Sequence, residues 1–200
     1  MKLHVFPPSP NAKKVMVVNA HLGGIAEIVE INLLAGEQKS PEFLALNPNG
    51  KMPVLEFDDG ATLWESNAIM NCLANEVETP IWPVSTQRYD IIRWQFWEAA
   101  HWQPAAAKFI ARHLFGNESV DLDAAAMDFH KYASVLDGHL AGRDWLSGDG
   151  MTTADLSVAA MLFYRDRCQM PVAGYDNIAA WIGRLEQLPA WQSQNQLLAA

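Results

Sequence analysis

The opening of the chain constrains its fold more than any other stretch. It reads as a strand, a helix and a second strand, punctuated by a proline run and a glycine pair. Over Lys2 to Phe6, Leu3 and Val5 fall on one face of a strand and His4 and Phe6 on the other. Pro7–Pro8–Ser9–Pro10 stops that strand. Ser9 ahead of Pro10 is a helix start, a capping hydroxyl before a residue whose missing N–H would have had no partner. Val15, Val18 and Leu22 carry the helix at spacings of three and four to Gly23–Gly24, and Ile25 to Leu33 is strand-like again. Two strands joined by so short a helical crossover are parallel, and the crossover is right-handed.

A polar loop follows, then a short helix over Ser40–Leu46 with Pro41 in its first turn. Pro53 to Phe57 and Ala61 to Leu63 are strands joined by an Asp59–Gly60 hairpin turn. Ser66 caps a helix whose inner face carries Ile69, Cys72 and Leu73. The order βαβ then ββα is that of a thioredoxin-like α/β domain, assigned to residues 1–78. Pro80 and Pro83 break the pattern, and 79–85 is read as a linker. Residues 86–200 read as an all-α domain. Gln87 to Leu114 is one long helix kinked by Pro104, and Leu122, Ala126, Phe129, Ala133, Leu136 and Leu140 form the stripe of another. Ala154 to Phe163 is apolar nearly all round and reads as a central buried helix. It starts with a capping box, Thr152 and Asp155, and Met151 and Leu156 stand where a hydrophobic staple would close it.

Half of the residues are apolar and 18% are charged, the composition of a folded globular protein. Eight tryptophans are many for this length, and some are expected in a pocket or an interface. A net charge of −9 shared by both halves, with no basic stripe, excludes nucleic acid as a partner class. No segment approaches a membrane span, and Asp155 and Ser157 interrupt the longest candidate. No secretory leader is recognised, so a soluble, cytoplasmic protein is expected. Cys72 and Cys168 form no CxxC pair and read as buried structural thiols of a reducing compartment. His101 has no metal-ligand spacing with His113, His130 or His139, and no metal is expected.

Several motifs resemble the cytosolic glutathione transferase family. Asn47–Pro48–Asn49–Gly50–Lys51–Met52–Pro53–Val54–Leu55 with Glu65–Ser66–Asn67–Ala68–Ile69 is similar to its glutathione-site signature. Gln38–Lys39–Ser40–Pro41–Glu42 resembles the loop before the second helix of plant-type members, and Ser9–Pro10–Asn11 the first helix of serine-type classes. Trp145–Leu146–Ser147–Gly148–Asp149, Thr152–Thr153–Ala154–Asp155, Ile178–Ala179–Ala180–Trp181 and Leu188–Pro189–Ala190–Trp191 resemble its C-terminal-domain signature. The match spans the chain in order.

The resemblance implies a site for glutathione as co-substrate. Pro53 would be a cis proline presenting the Met52 backbone to the cysteinyl peptide. Glu65 would take the γ-glutamyl amine, and Ser66 with the first amides of its helix the γ-glutamyl carboxylate. Lys39, beside Gln38, would pair with the glycine carboxylate, and Lys51 lies near the peptide. Ser9 would hold the sulfur as thiolate. A free thiol ionises near pH ~8.5, and a hydroxyl donor at the positive end of a helix lowers that value. The competing role for Ser9 is capping alone. A hydroxyl residue, proline and asparagine also mark a disulfide-reductase branch of the family, where Asn11 would share the sulfur. Lys13 and Lys14 are read as solvent-facing.

The second substrate, a small hydrophobic electrophile, would lie against the long helix, where Trp94, Trp97, His101, Trp102, Phe109 and Arg112 are available; Trp97, His101 and Arg112 are the candidates for its pocket. Conjugation of glutathione to such an electrophile is the leading activity, expected of a homodimer. Reduction of disulfides or peroxides, and a catalytically silent binding module, are the alternatives.

Overall fold

The structure is a computed structural model and describes residues 1–196. It divides into two compact units, Met1–Trp82 together with the chain from Leu188, and Pro83–Gln187.

In the first unit, β1 (Lys2–Val5), α1 (Pro10–His21) and β2 (Glu27–Glu30) form the expected crossover. They are followed by α2 (Pro41–Leu46), β3 (Val54–Glu56), β4 (Thr62–Trp64) and α3 (Ser66–Asn75). The sheet order is β2-β1-β3-β4. β1 pairs in parallel with β2, Leu3 opposite Ile28, and antiparallel with β3, Leu3 opposite Leu55. β3 pairs antiparallel with β4. Leu3, Val5, Val54 and Leu55 are fully buried, and α1 and α3 pack on each other. This is a thioredoxin-like domain.

The strands are shorter than their apolar patterns. β2 is an edge strand, and the chain beyond it turns where Asn32 Oδ1 accepts from the amides of Leu34 and Ala35. At the other end of the crossover, Gly23 and Gly24 both adopt positive φ, which lets α1 stop in a tight turn. Asn19 then latches the connection. Its Nδ2 donates to Ala26 O at 2.9 Å, and its Oδ1 accepts from Ala26 N at 3.0 Å.

Lys13 and Lys14 are not solvent-facing. Both are buried, at 0% and 1% exposure, because α1 is covered on more than one side. One cover is α9 (Pro189–Gln196), whose Gln194 carbonyl accepts from Lys13 Nζ at 2.7 Å. The sequence division takes the chain in order and places this helix with residues 86–200, whereas its contacts put it on the first unit. Cys72 is also corrected. It is half-buried on α3, where Met70 and Ala74 fill the inner face beside Ile69 and Leu73, while Cys168 is fully buried.

The second unit is helical: α4 (Gln87–Trp97), α5 (Gln103–His113), α6 (Leu122–Leu140), α7 (Thr153–Ala159) and α8 (Asp176–Leu185). The interruption expected at Pro104 takes the form of a π-helical turn over Glu98–Trp102 that joins α4 to α5. Proline offers no N–H to the preceding turn, and the wider turn absorbs the missing bond. α6 buries Phe129, Ala133, Leu136 and Leu140 as its stripe predicts. At its start Ala125 is buried in place of Leu122 and Ala126.

Every residue from Thr153 to Leu162 is buried, the second half as a 3-10 turn. The capping box at its start is formed. Asp155, 0% exposed, accepts from Thr152 N at 2.8 Å, Thr152 Oγ1 at 3.0 Å, Leu146 N at 2.9 Å and Trp181 Nε1 at 2.9 Å. Tryptophan serves the cores more than the surface. Trp82, Trp94, Trp102, Trp181 and Trp191 are buried, and Trp64 is the exposed one at 41%.

Candidate functional site

Ser9 occupies the N-cap position of α1 with extended backbone, φ −76° and ψ 130°, as its sequence context requires. Its side chain nevertheless makes no capping hydrogen bond. The hydroxyl is held at the positive end of a twelve-residue helix and is not used to close it. The turn before it is fixed from the other side, since Ser9 N donates to Phe6 O at 2.8 Å.

Two positions on, Asn11 meets the start of α3. Ser66 Oγ donates to Asn11 Oδ1 across a long 3.4 Å. With its carboxamide oxygen turned to Ser66, Asn11 keeps its NH2 as a donor with no hydrogen bond among the described residues. Ser66 is the first residue of α3 and 9% exposed. The opening amides of α3 point out of the helix without intrahelical acceptors. Glu65 precedes them with φ +74° and ψ 112°, a conformation L-residues rarely adopt, and its carboxylate is exposed and caps nothing. A strained backbone that leaves an acidic side chain free beside a helix N-terminus is arranged for something other than stability.

The remaining candidates sit on two loops that touch. Gln38 and Lys39 belong to a 3-10 turn over Glu37–Lys39; Lys39 is exposed, and Gln38 Oε1 is buried without a hydrogen-bond partner among the described residues. Lys51 is exposed, Met52 half-buried and Pro53 buried, and the Met52–Pro53 peptide is cis as the resemblance implies. Gly50, at φ +59°, brings these loops together. A Cβ there would stand 3.1 Å from Gln38 O, so only glycine lets the backbones approach without a shift.

Asn47 is the residue that sequence reasoning left without a role. It is 2% exposed, donates from Nδ2 to Lys51 O at 2.7 Å, and accepts on Oδ1 from Asn49 N at 3.0 Å and Asn49 Nδ2 at 2.9 Å. It thereby sets the turn that presents Lys51 and Met52. The signal was available: Asn-Pro-Asn-Gly is a turn sequence, and asparagine in such a turn hydrogen-bonds its own backbone.

Trp97, His101 and Arg112 lie in the second unit. Trp97 is half-buried in an aromatic cluster, stacked on Trp102 with centroids 6.0 Å apart and edge-on to Trp94 at 5.1 Å. His101 is exposed and stacks on Tyr132 at 5.3 Å. Arg112 has a buried Nη1 without a hydrogen-bond partner among the described residues. Trp94 and Trp102 are core residues, and Trp102 Nε1 donates to Val158 O at 2.9 Å. Among the described residues no group of three or more His, Cys, Asp or Glu side chains is placed to hold a metal ion, and no helix is long and apolar enough to cross a membrane.

The chemistry open to the first unit is specific. Uncommitted hydroxyl and amide donors at the start of α1 can stabilise a thiolate. A free carboxylate beside open helix amides can take an α-amino acid zwitterion, and loop lysines can take a second carboxylate.

Known proteins are similar to this chain along most of its length. The family model described as "Glutathione S-transferase, N-terminal domain" matches residues 1–75, and "Glutathione S-transferase, C-terminal domain" matches 99–189. Among curated proteins the chain is similar to Glutathione S-transferase 3 of Zea mays, 32% identical over 96% of this chain and 91% of that protein. It is also similar to Glutathione S-transferase GstB of Escherichia coli, 29% identical over 91% of each. Among solved structures it resembles a glutathione S-transferase from Pseudomonas fluorescens, with a TM-score of 0.85, 30% identity, and 94% of this chain and 96% of that one covered.

Proposed function

We propose that this chain, which belongs to the glutathione S-transferase family, binds glutathione in its thioredoxin-like unit and transfers the thiolate to a small hydrophobic electrophile. The observation that carries this reading is the idle state of Ser9 and Asn11. A hydroxyl at an N-cap that does not cap, and an unused amide NH2 two residues on, leave two donors for sulfur at the positive end of α1. The thiol loses its proton to solvent, and both donors favour the resulting anion. Sulfur then attacks the electrophilic carbon, the S–C bond forms, and the leaving group departs with the electron pair of its bond. Ser9 forms no covalent intermediate.

Glu65 takes the γ-glutamyl amine, and the backbone amide of Ser66 with the other opening amides of α3 takes the γ-glutamyl carboxylate. The Met52 backbone pairs with the cysteinyl peptide, and Lys39, with Gln38 and Lys51, neutralises the glycine carboxylate. The protein acts as a cytoplasmic homodimer, with glutathione taken by residues 1–78 ahead of a linker at 79–85.

The free NH2 of Asn11 favours a second reading in the same site, glutathione-dependent reduction of disulfides. There the thiolate attacks a disulfide sulfur, and one thiolate leaves as the mixed disulfide forms. A parallel screen of glutathione turnover with an aryl halide, an epoxide and a model disulfide separates the two. Turnover of the disulfide alone reassigns the enzyme, and turnover of none removes both readings.

A further inference from the structure

A cavity of about 440 Å³ opens in the first unit between the turn that precedes Ser9 and the loop that follows β2. Its walls are Phe6, Pro7, Pro8 and Ile31, and its charged groups are Glu30 and Glu37, both exposed. This is the size of a small-ligand pocket, and apolar walls with a few polar groups are its usual make-up. The place is fixed by backbone bonds. Ile31 N donates to Val5 O at 2.7 Å, which sets the ends of β1 and β2 side by side, and Ser9 N donates to Phe6 O in the same turn. Pro8, a wall of the cavity, immediately precedes Ser9, the residue assigned to the sulfur.

The carboxylates give the cavity a sign. Glu37 is held in place because its Oε2 accepts from Asn32 N at 2.7 Å, while Asn32 Oδ1 accepts from Leu34 N and Ala35 N. Neither Glu30 nor Glu37 has an ion-pair partner among the described residues. Two uncompensated negative charges lining a small cavity attract cationic groups and hydrogen-bond donors and repel carboxylates.

Resting on the glutathione reading above, we propose that this cavity receives the electrophile and that Glu30 and Glu37 set its charge class. They select aromatic or aliphatic electrophiles that carry a cationic or donor substituent, and reject those that carry a carboxylate. Glutathione's own carboxylates are held elsewhere, at Ser66 and Lys39, and do not enter this cavity.

The test uses three S-aryl glutathiones with one common ring and a trimethylammonium, a nitro or a carboxylate substituent. Each is titrated calorimetrically into wild type, Glu30→Gln, Glu37→Gln and the double variant. The glutamine at 37 still accepts from Asn32 N, so the loop is retained. Wild type should bind the cationic conjugate about tenfold more tightly than the carboxylated one. The double variant should bring the two within about twofold, and salt should narrow the wild-type ratio in the same direction. Equal affinities in wild type, or a preference that survives in the double variant, overturns the inference. The underlying reading fails differently: glutathione alone then gives no heat, and both fall together. Conjugate selectivity without turnover of the matching aryl halides upholds the cavity assignment and removes the transferase one.

Discussion

Ser66 Oγ reaches Asn11 Oδ1 at 3.4 Å and so joins the N-termini of α3 and α1. The contact engages the carboxamide oxygen and leaves its NH2 as a donor, two residues along α1 from the uncommitted hydroxyl of Ser9. Ser9→Ala should therefore raise the thiol pKa of bound glutathione and cut turnover at neutral pH. Rate should recover as pH rises and the thiol ionises unaided. Glutathione affinity should change little, since its charged ends are held by other residues. If Asn11→Ala raises the pKa more than Ser9→Ala does, asparagine is the main sulfur ligand and the disulfide reaction gains. A thiolate absorbance titration of the complex in wild type and both variants decides, and an unchanged pKa in both sinks the mechanism.

Glu65 should show stability and function pulling in opposite directions. Its φ of +74° is costly for any residue with a Cβ. Glu65→Gly relieves that cost and should stabilise the fold by on the order of 1 kcal/mol. The same change, like Glu65→Ala, removes the carboxylate offered to the γ-glutamyl amine. Affinity for glutathione should fall about 10- to 100-fold, the range for a charged hydrogen bond. Chemical denaturation and calorimetry on the two variants check both halves. Undiminished affinity removes Glu65 from the site.

Lys13 makes a pH prediction. Burial lowers its pKa from 10.5 to about 8. Below pH 8 the folded and unfolded chains are both protonated here, so the cost of burying the charge is constant. Between pH 8 and 10.5 the unfolded chain holds more protons, and stability rises with pH as folded Lys13 becomes neutral. The rise is on the order of 3 kcal/mol in total. Urea midpoints across this window should climb for wild type relative to Lys13→Met, which cannot titrate. Parallel curves would show that Lys13 stays charged.

Lys13 also marks what the sequence did not disclose. The strand–helix–strand opening, the Asp59–Gly60 hairpin and the Thr152–Asp155 cap are local patterns, written in residues close along the chain, and each is formed where it was read. The burial of Lys13 draws on α9, which begins only at Pro189 and whose Gln194 carbonyl takes its ammonium. No periodicity within Pro10–His21 announces a helix from the far end of the chain. The site divides in the same way. Ser9, Lys51 and Glu65 were legible as motif positions. The idle hydroxyl of Ser9, the strain at Glu65 and the hub at Asn47 are properties of three-dimensional hydrogen bonding and backbone angle.

The buried cap of α7 should be the most sensitive point of the second unit. Thr152 and Asp155 do not contribute equally, although a capping box pairs them. Thr152 Oγ1 accepts from Ala154 N at 3.3 Å and takes the first-turn amide of the capping box, and Thr152→Ala should cost about 1 kcal/mol, the usual worth of a cap. Asp155 satisfies four donors from three places along the chain: Leu146, Thr152 and Trp181. Asp155→Ala leaves all four without an acceptor in a site that water does not reach, and should cost on the order of 3–5 kcal/mol. Asp155→Asn is not a rescue. It keeps an oxygen for Leu146 N and Trp181 Nε1 but turns an NH2 toward Thr152 N, so that bond becomes repulsive and the Thr152 hydroxyl must turn to accept. Its cost should stand nearer to that of alanine than to that of Thr152→Ala. Denaturant midpoints of the three variants give the order. An asparagine variant as stable as wild type would show that Asp155 does not act as a four-bond acceptor.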